Sequence, residues 1–175
     1  MSHLTDEALL EQLEARQALH TLNAQFARAL DRMDRCLMVS LWTQDAHIDW
    51  GKHQGPVQAF VMEATTARDD LERSFTTLSN AVFNLNGMQA CGEIYVLNVS
   101  TVIENGSKVE RFLGGRFLDQ YRCEQGQWKI AQRTFVMDWN MTQPCTAIWD
   151  EGLFGLITLR GRRDDQDPVY QLMGA

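Results

Sequence analysis

The feature that most constrains this chain is a change of period near residue 73. Before it, apolar residues recur at helical spacing. Beyond it come four long β-rich runs, Ser74–Leu85, Glu93–Glu104, Val109–Arg122 and Gln127–Asn140, parted by Asn86-Gly87, Asn105-Gly106 and Gln125-Gly126. Such dipeptides accept the left-handed backbone angles that tight hairpin loops require. The runs therefore predict an antiparallel meander. Helices followed by a meander define an α+β domain, with a curved, mostly antiparallel sheet wrapped around N-terminal helices. Gly92, Gly114 and Gly115 supply bends or bulges in strands too long to stay flat. The concave side of such a sheet is a natural ligand pocket.

Thr5 and Asp6 are cap residues for a long first helix, with Leu9, Leu13, Leu19, Leu22, Phe26, Ala29 and Leu30 along one face. A second helix is predicted over Arg35–Trp42, with Leu37, Leu41 and Trp42 inward. Pro56 opens a third over residues 57–72, with Phe60, Val61 and Ala64 inward. After Asn140 the pattern lapses. Residues 1–140 read as the barrel domain. Residues 141–175 read as a tail docked on it through Ile148, Trp149, Leu153, Phe154, Ile157 and Tyr170, and able to cover a pocket.

Charge narrows the partners. The 16 Lys and Arg against 23 Asp and Glu leave a net charge of −7. That balance opposes nucleic acid, whose phosphates need clustered cations, and anionic lipid. The run from Arg160 to Asp165 nearly cancels itself and makes no basic patch. A small hydrophobic, neutral or phenolic aromatic molecule is the expected partner. Asp6, Glu7, Glu11 and Glu14 stand where a signal peptide would carry positive charge, so a cytoplasmic location is expected. Cys36, Cys91, Cys123 and Cys145 form no CxxC pair and are expected as buried free thiols.

Few residues suggest chemistry. Asp45, His47 and Asp49 alternate along a strand, but Ile48 and Trp50 are its inward positions, so a solvated face is expected and no metal. Asp31 follows an apolar stripe at the end of the first helix. It is either a turn residue paired with Arg28 or Arg32, or a half-buried carboxylate with raised pKa acting as general acid or base. Alternation places Arg133 with Ala131, Phe135, Met137 and Trp139, where an Arg needs an anionic partner. Asp31 and a substrate oxyanion are the candidates, and a stem snorkelling at the strand edge is the bland alternative.

At these residues the chain resembles a known family. Residues 26–34 (Phe-Ala-Arg-Ala-Leu-Asp-Arg-Met-Asp), 41–46 (Leu-Trp-Thr-Gln-Asp-Ala), 126–133 (Gly-Gln-Trp-Lys-Ile-Ala-Gln-Arg) with Asp138-Trp139, and 160–170 resemble SnoaL-like proteins of the nuclear-transport-factor-like superfamily. The scytalone dehydratase-like branch is the most similar. That resemblance implies a cone-shaped α+β barrel whose open end holds a mostly apolar pocket, and a cofactor-free lyase that eliminates water or HCl with a helix Asp, a strand His and often a strand Arg. Asp31 and Arg133 match the Asp and Arg, and Trp50 falls where scytalone dehydratase has a pocket Tyr. Thr76 stands where the His should be, heading Thr76-Thr77-Leu78-Ser79-Asn80. Threonine cannot relay a proton by titrating near neutral pH. Lys52 or His53 at the pocket mouth, or Tyr95, or Asn98 and Ser100, depending on register, are the candidate substitutes, with Phe26 among the pocket aromatics. The resemblance also implies a homotrimer with its tail near the pocket mouth.

Two functions follow. One is a cofactor-independent lyase on a hydroxylated phenol that supplies its own electron sink, as a lignin-derived diaryl diol would; simple dehydration is its conservative form. The other is a non-catalytic binding module, favoured by the missing His and opposed by the retained Asp31 and Arg133.

Overall fold

Thr5 opens the first helix, α1 (Asp6–Arg32), by accepting the Ala8 N–H on its side chain. The computed structural model describes residues 5–173. At 1.5 Å per residue α1 is about 40 Å long, and burial along it starts only at Leu19. Leu19, Leu22, Phe26 and Ala29 are buried, whereas Leu9 and Leu13, expected on the same inward face, are exposed, because the first turns of α1 lie beyond the packed core. Met33 ends the helix in the left-handed region, and Asp34 caps α2 (Arg35–Ser40) by accepting the Leu37 N–H at 2.9 Å.

Trp42 belongs to a strand and not to the second helix: β1 (Trp42–Trp50) pairs with the short β2 (His53–Pro56). The third helix, α3 (Gln58–Ala64), stops well short of the predicted residue 72. Thr65 and Thr66 turn their hydroxyls back onto the Val61 and Met62 carbonyls, a competition with the backbone that β-hydroxyl residues bring to helix ends.

The meander is as expected but longer: β3 (Leu71–Asn86), β4 (Gln89–Glu104), β5 (Ser107–Glu124) and β6 (Gln127–Pro144). The six strands run in the order β2-β1-β6-β5-β4-β3, all antiparallel except β1 against β6. The sheet curls around α1 without closing. Phe26, Phe117, Ile94, Tyr121, Ile130 and Met38 fill its interior.

Two bulges on β6 undo the simple alternation predicted there. Tyr121 pairs with Ile130 and Gln120 with Gln132, so Ala131 is the extra residue. Gly114 pairs with Trp139 and Gly115 with Met137, so Asp138 is the other. Arg133, Phe135 and Met137, between the bulges, share a side as alternation predicts, while Ile130 replaces Ala131 inward and Trp139 flips outward. Gly114 is what lets Trp139 lie flat: a Cβ there would sit 2.1 Å from the indole nitrogen.

β6 runs to Pro144, past the Asn140 where its pattern fades, and the tail adds only α4 (Gly152–Gly155) and α5 (Pro168–Met173). Its expected apolar anchors Ile148, Leu153, Phe154 and Ile157 are largely exposed. The anchoring contacts are instead polar or cation–π. Asp167 is ion-paired with Arg32 at 3.2 Å, Tyr170 donates to Asp34 at 2.8 Å, and the Arg73 guanidinium sits 3.6 Å above the Trp149 ring. All four cysteines are free, but none is buried as expected: Cys36 and Cys91 are exposed and Cys123 and Cys145 half-buried. Among the described residues no helix is long and apolar enough to cross a membrane.

Candidate active site

A cavity of about 380 Å³ opens at the wide end of the cone, between α1, α3 and the inner faces of β3 to β5. That is the size of small-molecule sites, which start near 300 Å³. Leu30, Trp50, Phe60, Ala64, Leu71 and Val102 make its apolar wall, with the Trp50 and Phe60 rings stacked at 5.4 Å. Ser74, Asn98 and Ser100 bring polar groups from the sheet. Lys52, His53, Glu63, Arg68, Arg111 and Arg163 ring the mouth.

Behind the polar wall lies Asp31, only 6% exposed. The last turn of α1 aims it at β3, where the strand alternation turns Ser74 and Thr76 inward. Oδ1 accepts from Ser74 Oγ and Thr76 Oγ1, both at 2.8 Å, and Oδ2 accepts from the Thr76 N–H at 2.7 Å. Asn98, across the β3–β4 ladder, donates to Ser74 Oγ at 3.0 Å and to Thr76 Oγ1 at 2.9 Å. Both hydroxyls are thereby oriented: each accepts from the amide and gives its proton to the carboxylate. Asp31 is thus paired with neither Arg28 nor Arg32. Asp31 and Thr76 do not border the cavity themselves; Ser74 and Asn98 do. The Ser74 hydroxyl is the group that reaches from the Asp31 carboxylate to the cavity surface.

Arg133 is elsewhere. It is fully buried in the narrow part of the cone, and its partner is Asp119, not Asp31. Nε donates to Asp119 Oδ1 at 2.9 Å, and Nη2 donates to Asp119 Oδ2 at 2.6 Å and to Asn23 Oδ1 at 2.5 Å. Phe26 and Phe117 sandwich the guanidinium, each ring centroid 4.1 Å away. Burial alone would pull the Arg133 guanidinium down, but the Asp119 carboxylate more than reverses this and leaves it above its ordinary value. Burial, reinforced by the charge of Asp119, pushes the Tyr121 hydroxyl well up, and it donates to Asp119 at 2.5 Å. Arg133 and Asp119 face each other in the β5–β6 register, and the Ala131 bulge adds Ile130 to the same inner layer.

Two more expected site residues lie off the cavity. Phe26 is wholly buried under Arg133, as a core ring. Tyr95 points to the convex side, since the register opposes Asn98 to Thr76 and Ser100 to Ser74 on the inner face. The positions that do border the cavity are Trp50, Asn98, Lys52 and His53. Lys52 Nζ is 2.8 Å and His53 Nε2 3.4 Å from the Glu63 carboxylate. The Lys52 hydrogen bond holds Glu63 below the usual range. Asp45, His47 and Asp49 face solvent, with Asp45 tied to Arg122. The residues that sequence reasoning passed over are Ser74, Glu63 and Arg163. For Ser74 a signal existed, because it sits two positions before Thr76 on the same face.

A long N-terminal helix held in a curved six-stranded sheet, with a half-apolar cavity at its wide end, defines the α+β cone of the nuclear-transport-factor-like superfamily. Residues 11–134 match the SnoaL-like domain, and the chain belongs to that family. Solved structures share the fold at low identity. A scytalone dehydratase-like protein from Novosphingobium aromaticivorans is 16% identical with a TM-score of 0.66, covering 78% of this chain and 91% of its own. A type 2 hexachlorocyclohexane dehydrochlorinase is 18% identical at 0.66, covering 79% and 94%. The type 3 enzyme from Novosphingobium barchaimii is 18% identical at 0.65, covering 79% and 95%. No curated protein matches the chain by sequence.

Proposed function

We propose that the chain is a cofactor-independent lyase acting on a hydroxylated phenol, in its fullest form a lignin-derived diarylpropane diol. The observation that carries this is the Asn98–Ser74/Thr76–Asp31 hydrogen-bond network in the wall of an aromatic-lined cavity. An apolar ligand binder has no use for a carboxylate held this way. The structural neighbours named for scytalone dehydratase and for dehydrochlorination support elimination chemistry as the class.

Elimination needs one proton delivered to a leaving hydroxyl and one removed from the substrate. Ser74 can do both without ionising: it takes a proton from substrate oxygen as it passes its own to Asp31, and the reverse. With a para-phenol on the ring, the phenolate pushes out the benzylic hydroxyl, which takes a proton from the Ser74–Asp31 chain and leaves as water, giving a quinone methide. The primary alcohol then gives its proton to the Ser74–Asp31 chain, its C–C bond breaks, and that electron pair restores the aromatic ring. Water, formaldehyde and a stilbene are released, with no net oxidation or reduction. Simple dehydration is the same first step on a substrate without the primary alcohol.

The test is incubation of the purified protein with a phenolic diarylpropane diol, following formaldehyde and stilbene absorbance. Turnover that falls about 10²–10⁴-fold in Asp31→Asn supports the lyase. One observation favours a second reading, a binding module: Thr76 replaces the titrating His of the family pattern. Tight binding of the diol without product would establish that reading instead.

A further inference from the structure

We propose that Arg163, delivered by the C-terminal tail, recognises an anionic oxygen on the aromatic ligand, so that the cavity takes its phenol as the phenolate. This deepens the lyase reading and rests on it for the chemistry, though not for the binding.

The basic side chains around the cavity differ in whether they are already neutralised. Lys52 and His53 share Glu63, Arg68 is held by Asp70 at 2.5 Å, and Arg111 is paired with Glu104. Among the described residues, no carboxylate lies within 4.0 Å of the Arg163 guanidinium. Its Nη1 is buried and has no hydrogen-bond partner among those residues. A desolvated cation with a free donor gains more from an arriving anion than any of its neighbours, whose attraction is spent on their own partners. Burial is also what pulls the Arg163 guanidinium below its ordinary value, against the attraction of Asp31. It remains a cation, since arginine does not lose its proton in proteins.

The tail is built to hold it there. Asp167 closes the turn that carries Arg163, accepting the Arg162 N–H at 2.8 Å and the Val169 N–H at 3.1 Å while paired with Arg32. Consecutive residues of α1 thus divide two tasks: Asp31 faces the sheet hydroxyls, and Arg32 fixes the turn bearing the cation. An oxygen bound at Arg163 lies within the electrostatic reach of Asp31. A guanidinium there lowers the proton affinity of the phenol, making its phenolate available. It also stabilises the charge that returns to that oxygen when the C–C bond breaks.

The experiment measures binding alone, at pH 8, by titrating wild type, Arg163→Met, Arg163→Lys and Asp31→Asn with 4-nitrophenolate and with its neutral ether, 4-nitroanisole. Wild type should prefer the phenolate by about ten- to a hundredfold, the range of one charge-assisted hydrogen bond. Arg163→Met should bind the two alike, Arg163→Lys should keep part of the preference, and Asp31→Asn, which removes a negative charge within reach of that oxygen, should raise it. An unchanged melting temperature in Arg163→Met ties the loss to the site. Wild-type phenolate affinity in Arg163→Met, or no preference in wild type, overturns the proposal. A protein that binds phenolate through Arg163 yet converts no diol overturns the lyase reading and leaves this one standing.

Discussion

Replacing Arg133 by Met should cost the fold far more than the chemistry. The side chain is fully buried and its partner Asp119 is 3% exposed. Met fills the slot between the Phe26 and Phe117 rings, so little cavity term arises. What is lost is the pair of bonds at 2.9 and 2.6 Å that neutralises Asp119, leaving that carboxylate in the core with only the Tyr121 hydroxyl. Breaking a buried ion pair from one side costs about 3–5 kcal/mol. For a domain of this length each kcal/mol moves the melting temperature by about 2–4 °C, so a fall of roughly 6–20 °C is expected.

The double variant Arg133→Met with Asp119→Leu removes both charges and should recover most of that loss, since a buried pair is often replaceable by apolar residues of similar volume. Urea titration with tryptophan fluorescence reads the stability, and diol turnover per folded molecule reads the chemistry. The reasoning fails if Arg133→Met melts like wild type while turnover disappears. That outcome would make the guanidinium a participant in the reaction after all.

Three further predictions concern the site, the tail and the convex face. Ser74→Ala and Asp31→Asn should each lower kcat with little change in KM, and the double variant should be no worse than Asp31→Asn, because the two act in one proton chain. The tail should release at both extremes of pH, read by hydrogen exchange of residues 160–170. Burial pushes Asp167 up, but the Arg162 and Val169 N–H groups and Arg32 hold it below its ordinary 3.8, so its contribution is present above that value and lost as pH falls further. Burial and the Asp34 bond push Tyr170 up from 10 to about 12, so its contribution is full below pH 10 and lost as pH rises through about 12. Finally, Phe75, Tyr95, Trp139 and Met141 spread exposed apolar surface over the outer side of β3 to β6. We propose that a homotrimer covers it, and Phe75→Asp should convert a trimer mass into a monomer mass by light scattering.

The meander was legible because its turns are local: a residue pair such as Asn105-Gly106 sets a hairpin whatever packs against it, and both positions do take positive φ. The helix ends were less so, since Thr65 and Thr66 bond back to the preceding carbonyls and end α3 early. Arg133 misled for a different reason. Alternation rightly groups it with Phe135 and Met137, but the bulge at Ala131, which brings Ile130 to that side, shows itself only when β5 is laid beside β6. The natural partner Asp119 lies on β5, across that same ladder, so nothing in the β6 segment alone announces it.

The site itself turns on a substitution that is easy to misread one residue at a time. Matching Thr76 to a histidine position registers a lost proton carrier. In three dimensions the hydroxyl and amide of Thr76 keep the bond to Asp31, while Ser74, the next inward position, brings a second hydroxyl from that carboxylate to the cavity surface. Asn98 orders both from across the strand pair. Where the resemblance implies a single titrating ring, this chain has three neutral side chains around one acid. In the reaction we propose, such a network carries a proton by concerted exchange, and the substrate's own phenolate does the heavier electronic work. Arg163 fits the same logic: the tail brings an unpaired cation to a cavity whose other cations are already matched.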